Sequence, residues 1–198
     1  MNNKTYKNLE KRLTWNLDYK TEKTPNRFFK FPLCTIVGNW KKPKIIKKGK
    51  DITIVSFSYM MIECLRVNKI LRDNNISSEI INVRTLNPLE MDYIIKSVKK
   101  TKKILVVDNG WKNYGIGAEI IAMIYEKLGK NMKILCERIG ISQSPIPSTI
   151  SLAKFSYPNS KTIIKCIVKL LGKNIKINKK YESNTPLDQP DNSFLGPF

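Results

Sequence analysis

The side chains that could carry chemistry lie after apolar runs of strand length. Arg84 follows one such run, Asp108 ends the next, and Trp111 comes shortly after it. The segment YGIGAE (residues 114–119) then places two glycines where a helix would begin. A guanidinium binds anions, a carboxylate serves as a base or a metal ligand, and a glycine-rich helix start holds phosphate. The candidate ligand or interface residues are therefore Arg84, Asp108, Trp111, Gly115, Gly117 and Glu119.

These candidates lack the partners that catalysis needs. Asp108 has no second carboxylate converging on it, so a paired acid and base is not indicated. Glu119 would repel a phosphate from the first helical turn, and Ile120 replaces the third glycine of a dinucleotide loop. The two glycines therefore favour a tight turn and close helix–sheet packing over a phosphate site.

Arg84 and Trp111 each permit two interpretations. Arg84 either holds a loop in place, by pairing with Asp108 or with loop carbonyls, or binds an anionic ligand. Trp111 either packs at an interface or stacks on a ligand, and the first role is the more usual for tryptophan. We expect no catalytic residue and no metal ligand in this set.

The chain has no histidine, which removes the usual general base. Hydrolase mechanisms of the Ser-His-Asp and Cys-His types are therefore excluded. The cysteines are far apart and form no C-x-x-C pair. We expect reduced, mostly buried thiols instead of a disulfide or a metal site. These cysteines are Cys34, Cys64, Cys136 and Cys166.

The formal net charge is +20, and 30 of the 36 basic residues are lysines. Clustered cations neutralise phosphates, which suggests a nucleic-acid-binding module. However, lysine, asparagine and isoleucine, which AT-rich codons supply, are abundant, whereas arginine, which suits bidentate phosphate and guanine contacts, is scarce. We therefore favour mutational drift on solvated surfaces over binding of nucleic acid.

From residue 51 the sequence alternates between strand and helix patterns. The predicted strands are residues 52–58, 78–84, 103–108 and 132–139. The predicted helical faces are Met60, Cys64, Val67 and Leu71, then Met91, Ile94, Ile95 and Val98, then Ile120, Ile121, Ile124 and Leu128, and last Ile163, Ile167 and Leu170. This alternation predicts a three-layer α/β fold with a mostly parallel sheet covered on both faces.

Five residues predict where these helices begin and end. Asn87 and Pro88, with Glu90 as a capping-box acid, predict the start of the second helix. Gly129 predicts a left-handed end to the third helix, and Gly172 ends the fourth.

The predicted domain covers residues 51–172. Residues 1–50, with 14 basic and 3 acidic side chains, are expected to be an irregular basic lead-in or linker. Its run KKPKIIKKGK (residues 41–50) is interpreted as a turn with solvated lysines, with a basic arm as the alternative.

Residues 173–198 are expected to form an extended tail that FLGPF could anchor. Without a signal peptide or a long apolar run, the cytoplasm or an organelle matrix is the expected location.

Four motifs in order resemble the C-terminal domain of the transketolase family, closest to the beta subunit of the decarboxylating component of pyruvate and other 2-oxo acid dehydrogenase complexes. They are GKDITIVSFS (residues 49–58), INVRTLNPLEMDYIIKSVKKTKKILVV (residues 81–107), NGWKNYGIGAEI (residues 109–120) and RIGISQSPIPS (residues 138–148). The resemblance extends from about Leu9, in LEKRLTW, to the closing FLGPF. It implies a sheet of about five strands.

The resemblance also implies that this chain is incomplete as an enzyme. In that family a separate upstream domain binds the pyrimidine of thiamine diphosphate, and an alpha subunit holds the diphosphate and its magnesium. The C-terminal domain builds subunit interfaces and helps to dock the acyltransferase core. The implied partners are thus an alpha subunit, a pyrimidine-binding domain and an acyltransferase core in an oligomer, and the implied cofactors belong to that assembly and not to this chain alone.

The sequence departs from the family pattern at three places. Lys11 stands where a histidine is usual, Asp108 and Asn109 stand where an acidic pair is common, and Gln143 replaces a usual aspartate. Two other functions therefore remain open beside the 2-oxo acid dehydrogenase domain: a basic nucleic-acid-binding module, and a regulatory domain that binds a small anion through Arg84.

Overall fold

Strands and helices alternate through the part of the chain that the computed structural model describes, which is residues 42–129, 132–141, 144–153 and 155–177. The strands are β1 (Lys44–Lys47), β2 (Ile52–Ser56), β3 (Ser78–Asn82), β4 (Lys103–Trp111) and β5 (Leu135–Ile141). The helices are α1 (Met60–Asp73), α2 (Asp92–Thr101), α3 (Ile116–Leu128), the short α4 (Ile150–Ala153) and α5 (Ser160–Leu171).

The strands form one five-stranded sheet in the order β1-β3-β2-β4-β5. β3, β2, β4 and β5 are parallel, and β1 pairs antiparallel with β3 at the edge. The register aligns Val55 of β2 with Ile81 on one side and Val106 on the other. The predicted α/β fold with a mostly parallel sheet of about five strands is confirmed.

Two apolar clusters cover the two faces of the sheet. On one face, α1 and α5 pack over residues such as Ile54, Ile80 and Leu105, which are fully buried. On the other face, α2 and α3 pack over Val55 and Val106. Side chains alternate between the two faces along each strand, which is why the neighbouring residues Ile54 and Val55 belong to different clusters.

The lysine-rich segment before residue 51 contains a strand, so the prediction that it is irregular is wrong for Lys44–Lys47. Ile45 and Ile46, which are half-buried, pack against the two apolar clusters, while Lys44 and Lys47 are exposed. An edge strand needs only this short apolar pair, and flanking lysines are common on such edges. The flanking lysines are therefore the reason why the sequence pattern did not indicate this strand, although it contributes to the sheet.

The second helix begins later than its sequence indicates. Asn87, Pro88 and Glu90 do not cap it, because α2 starts at Asp92 and Met91 is its N-cap residue. The first helical hydrogen bond runs from the N–H of Ile95 to the carbonyl of Met91, a buried residue. The burial of Met91 against the sheet thus fixes the helix start in place of the capping box.

Gly129 does not adopt the predicted left-handed conformation, since its φ is −59°. A side chain there would collide with the carbonyl oxygen of Tyr125, so close contact explains the glycine better than backbone freedom. Gly172 does have a left-handed φ of 64° and ends α5 as expected. Asn159 caps the start of α5 by accepting from the N–H of Thr162 at 3.0 Å.

A buried carboxylate joins the two helices of one face. Glu63 of α1, which is 1% exposed, accepts a hydrogen bond from the N–H of Ser160 at the start of α5 at 2.8 Å. Its other oxygen pairs with Arg66. Glu63 therefore satisfies an N–H that the first turn of α5 cannot satisfy itself.

Cys64, Cys136 and Cys166 are free thiols, and Cys64 is fully buried. Burial raises the pKa of Cys64 to about 12, so this thiol stays protonated and unreactive at neutral pH.

No helix within the described ranges is long and apolar enough to cross a membrane. The segments LEKRLTW and FLGPF, Cys34, Gln143, and the predicted lead-in before residue 42 and tail after residue 177 lie outside the described residues.

Candidate functional site

The carboxyl edge of the sheet is where a parallel α/β fold would bind a ligand. Here polar groups from neighbouring strands bond to one another. The hydroxyl of Ser56 donates to the carbonyl of Val107 at 2.8 Å, and the N–H of Val83 donates to the carbonyl of Ser56 at 2.9 Å. These hydrogen bonds join β2 to both β3 and β4 at this edge.

Asp108 is 7% exposed and bonds to its own loop. Its Oδ1 accepts from the N–H of Gly110 at 2.9 Å. Burial raises the pKa of Asp108, and the N–H groups of Gly110 and Asn109 offset part of that rise. A carboxylate held in this way is a loop-forming group and not a base aimed at a substrate.

β4 continues past Asp108 in an irregular course. The pairing of β4 with β5 shifts register between Val107 and Trp111, so Trp111 lies opposite Ile141. Lys112 is held on both sides, because its N–H donates to Ile141 and its carbonyl accepts from Arg138 at 2.5 Å. This bulge carries the following loop out beyond the sheet.

The loop displays two large aromatic side chains. Trp111 is 60% exposed and Tyr114 is 94% exposed. Tyr114 also has a left-handed φ of 59°, which is uncommon for an aromatic residue. The sequence identified Trp111 as an interface candidate but did not identify Tyr114, whose only sign was its place before Gly115.

Gly115 and Gly117 permit close approach, which is the role favoured by the sequence. A side chain at Gly115 would overlap the carbonyl oxygen of Trp111, so the loop can fold back on itself only with glycine. A Cβ at Gly117, in the first turn of α3, would lie 3.4 Å from Val106 of the sheet. Both glycines bring α3 against β4.

The two remaining charged candidates are Glu119 and Arg84. Glu119 is exposed in the first turn of α3, where its charge is favourable for the helix dipole and would repel an anion. Arg84 follows β3, is half-buried and is not a free cation, because it already interacts with the protein. Among the candidates, the edge brings together Asp108, Trp111 and Gly115.

The sequence matches the family described as "Transketolase, C-terminal domain" over residues 41–163. The chain belongs to this family. The match includes β1, so the family's domain begins before residue 51, where the alternation of strands and helices becomes visible in the sequence.

Curated relatives of this transketolase C-terminal domain are similar over about two thirds of the chain. The mitochondrial pyruvate dehydrogenase E1 component subunit beta of Dictyostelium discoideum is 35% identical over 133 residues, covering 67% of this chain and 37% of the relative. The subunit of the same name from Rickettsia bellii is 35% identical over 129 residues, covering 65% and 40%. This chain therefore spans well under half the length of these relatives.

A solved structure named "Split gene transketolase, inactive beta4 tetramer" has a similar fold, with a TM-score of 0.58 and 20% identity. The similarity covers 66% of this chain and 42% of that chain. It confirms the transketolase-like arrangement of the sheet and its helices.

Proposed function

We propose that this chain is the C-terminal domain of a beta subunit in a thiamine-diphosphate-dependent 2-oxo acid dehydrogenase of the pyruvate type. In this proposal it takes part in oxidative decarboxylation only within a larger assembly. Its partners are a pyrimidine-binding domain, an alpha subunit and an acyltransferase core. The cytoplasm or an organelle matrix would be its location.

The relatives support the class of enzyme. Those that match at about 35% identity are named as beta subunits of the pyruvate dehydrogenase E1 component, and the match falls on the family's C-terminal domain. The similarity covers only 37% and 40% of those two subunits, so most of each relative lies outside the region that this chain matches.

The observation that carries the scaffold role is the contrast at the carboxyl edge. The buried carboxylate of Asp108 bonds to its own loop, while Trp111 and Tyr114 next to it are largely exposed. Exposed aromatic side chains on a rigid bulge are typical of protein interfaces, where they bury a large area at little entropic cost. The edge thus has the features of an assembly surface.

The described residues show no cluster typical of a site for thiamine diphosphate with magnesium. Magnesium with phosphate is usually held by one or two carboxylates together with phosphate oxygens and water, and Asp108, the buried acid at the candidate site, is used by its own loop. Within the described ranges no three acidic, cysteine or histidine side chains come together. We therefore propose that other parts of the assembly hold both groups.

Co-purification tests the assembly role. The full chain is co-expressed with the pyrimidine-binding domain and the alpha subunit of the same organism, and the amount that co-purifies is measured. We expect the double substitution Trp111→Ser and Tyr114→Ser to lower co-purification about tenfold or more, as hot-spot aromatics do.

Leu135→Ser is the matched control, because Leu135 is an exposed apolar residue at the opposite end of the sheet, where β5 begins. It should leave co-purification unchanged. Equal recovery of the double variant and the wild type would contradict the proposed interface.

A further inference from the structure

A cavity of about 400 Å³ opens at the amino-terminal edge of the sheet, the end opposite the candidate interface. It lies where β1 ends, where α1 ends and where β3 begins. A cavity of this size is within the range of sites that bind small molecules. Its lining residues are Lys47, Lys48, Asn68, Arg72, Asn75, Ile76, Ser77 and Ser78.

The lining carries three cations and no carboxylate. Lys47 and Lys48 come from the end of β1, and Arg72 comes from the last turn of α1. In the part of the chain that the structure describes, none of the three has a carboxylate partner. The nearby carboxylate of Asp51 already accepts from the N–H of Ser77 at 2.7 Å. The cavity is therefore positively charged.

Asn68 adds a buried hydrogen-bond donor. This residue is 4% exposed, and its Oδ1 accepts from the hydroxyl of Ser78 at 3.0 Å. Its Nδ2 has no acceptor among the residues that the structure describes. Buried amide donors are almost always paired, so an unpaired one in the wall of a basic cavity indicates an acceptor that enters from outside.

The carbonyl groups at the end of α1 repel an anion, but only weakly. The carbonyls of a helix end carry about half a negative charge in total. Those of Leu71 and Arg72 already accept from the N–H groups of Ile76 and Asn75, at 2.9 and 3.0 Å. Three full positive charges exceed this partial negative charge, so the net field in the cavity favours an anion.

We propose that this cavity binds a small phosphate-bearing anion. Lys47, Lys48 and Arg72 neutralise its charge, and Asn68 donates a hydrogen bond to one of its oxygens. Arginine and lysine together suit phosphate, the first as a fork of donors and the second as a point charge. A recess of this volume fits a small anion better than a nucleic acid, which needs an extended basic groove.

Calorimetric titration of the full chain with diphosphate, at constant ionic strength, tests the proposal. Arg72→Gln should weaken binding about tenfold, the effect of losing one charge-assisted contact. Lys69→Gln is the matched control, since Lys69 is exposed on the same helix, does not line the cavity and carries the same charge. It should change the affinity less than about twofold.

Three results would overturn the proposal. The first is that the wild type gives no binding. The second is that both variants weaken binding equally, which would show a response to net charge alone. The third is that a short single-stranded oligonucleotide binds more tightly than diphosphate and depends on Arg72, which would assign the surface to nucleic acid. Circular dichroism of each variant establishes that the fold is retained.

Discussion

The carboxylate of Asp108 accepts a hydrogen bond from the N–H of Gly110 at 2.9 Å, so this buried acid at the carboxyl edge of the sheet holds its own loop together. We expect Asp108→Asn to keep this bond through the amide oxygen and to change the free energy of unfolding by less than about 1 kcal/mol. Asp108→Ala removes the acceptor and should cost about 1–3 kcal/mol. Urea unfolding of both variants measures the difference, and equal losses would contradict the loop-forming role.

The stability of Asp108→Asn relative to the wild type should depend on pH, and the sign of this dependence follows from the pKa shift of Asp108. Burial raises the pKa of Asp108, so the folded state favours the protonated form more than the unfolded state does. Ionisation of Asp108 therefore lowers stability as pH rises through the folded pKa, and acidification removes that cost. Asp108→Asn should gain stability relative to the wild type above this pKa and lose the gain below the unfolded pKa.

Glu79 should show the opposite dependence. Burial raises the pKa of Glu79, but hydrogen bonds from Lys100, Ser97 and the N–H of Gly49 outweigh it and hold the pKa below its ordinary value. Its stabilising contribution is therefore complete above the unfolded pKa and lost as pH falls through the folded pKa. Glu79→Gln should cost about 1–3 kcal/mol near neutral pH and flatten the acid limb of the stability curve. An unchanged acid limb would count against this assignment.

Gly115 and Gly117 offer a matched comparison within one helix start. Gly115 has an ordinary extended backbone, so the penalty of Gly115→Ala comes from the collision of its Cβ with the Trp111 carbonyl. Because the Trp111 carbonyl is part of the backbone and cannot shift easily, we expect the free energy of unfolding to fall by about 2 kcal/mol or more. In Gly117→Ala the added Cβ makes only an ordinary van der Waals contact with Val106 at 3.4 Å, while helix propensity improves by about 1 kcal/mol. Thermal unfolding should rank Gly115→Ala well below Gly117→Ala.

Glu63 should be required for docking of α5 on α1. Glu63→Ala leaves the N–H of Ser160 without its acceptor and removes the charge beside Arg66, at a cost of about 3 kcal/mol. Glu63→Gln keeps an acceptor oxygen and should cost less. Hydrogen exchange of the first turn of α5 should accelerate in the alanine variant before exchange in β2 does. Uniform acceleration of both would mean that Glu63 does not act locally.

The predictable parts of the fold were those set by apolar periodicity. Strands such as Ile52–Ser56 and helical faces such as Ile163, Ile167 and Leu170 follow directly from the spacing of buried residues. The start of α2 was not predictable from its capping signals, because burial of Met91 decides it. β1 was hidden because an edge strand needs few apolar residues between its lysines.

The candidate site was predictable in part. Asp108, Trp111 and the two glycines lie at the edge of the sheet to which the predicted strand ends assign them. The exposure of Tyr114 depends on a bulge in β4 that no residue pattern marks. The basic cavity joins Lys47, Asn68 and Ser78 from three elements, so their proximity is visible only after folding.

Binding of thiamine diphosphate tests most directly whether this chain is a scaffold domain without cofactor ligands of its own. Calorimetry with magnesium is performed on the purified full chain, on its Arg72→Gln variant, and on the complex with the pyrimidine-binding domain and the alpha subunit. We expect magnesium-dependent binding by the complex and none by the chain alone. Magnesium-dependent binding by the chain alone, retained in the Arg72→Gln variant and so independent of the basic cavity, would contradict the proposed function.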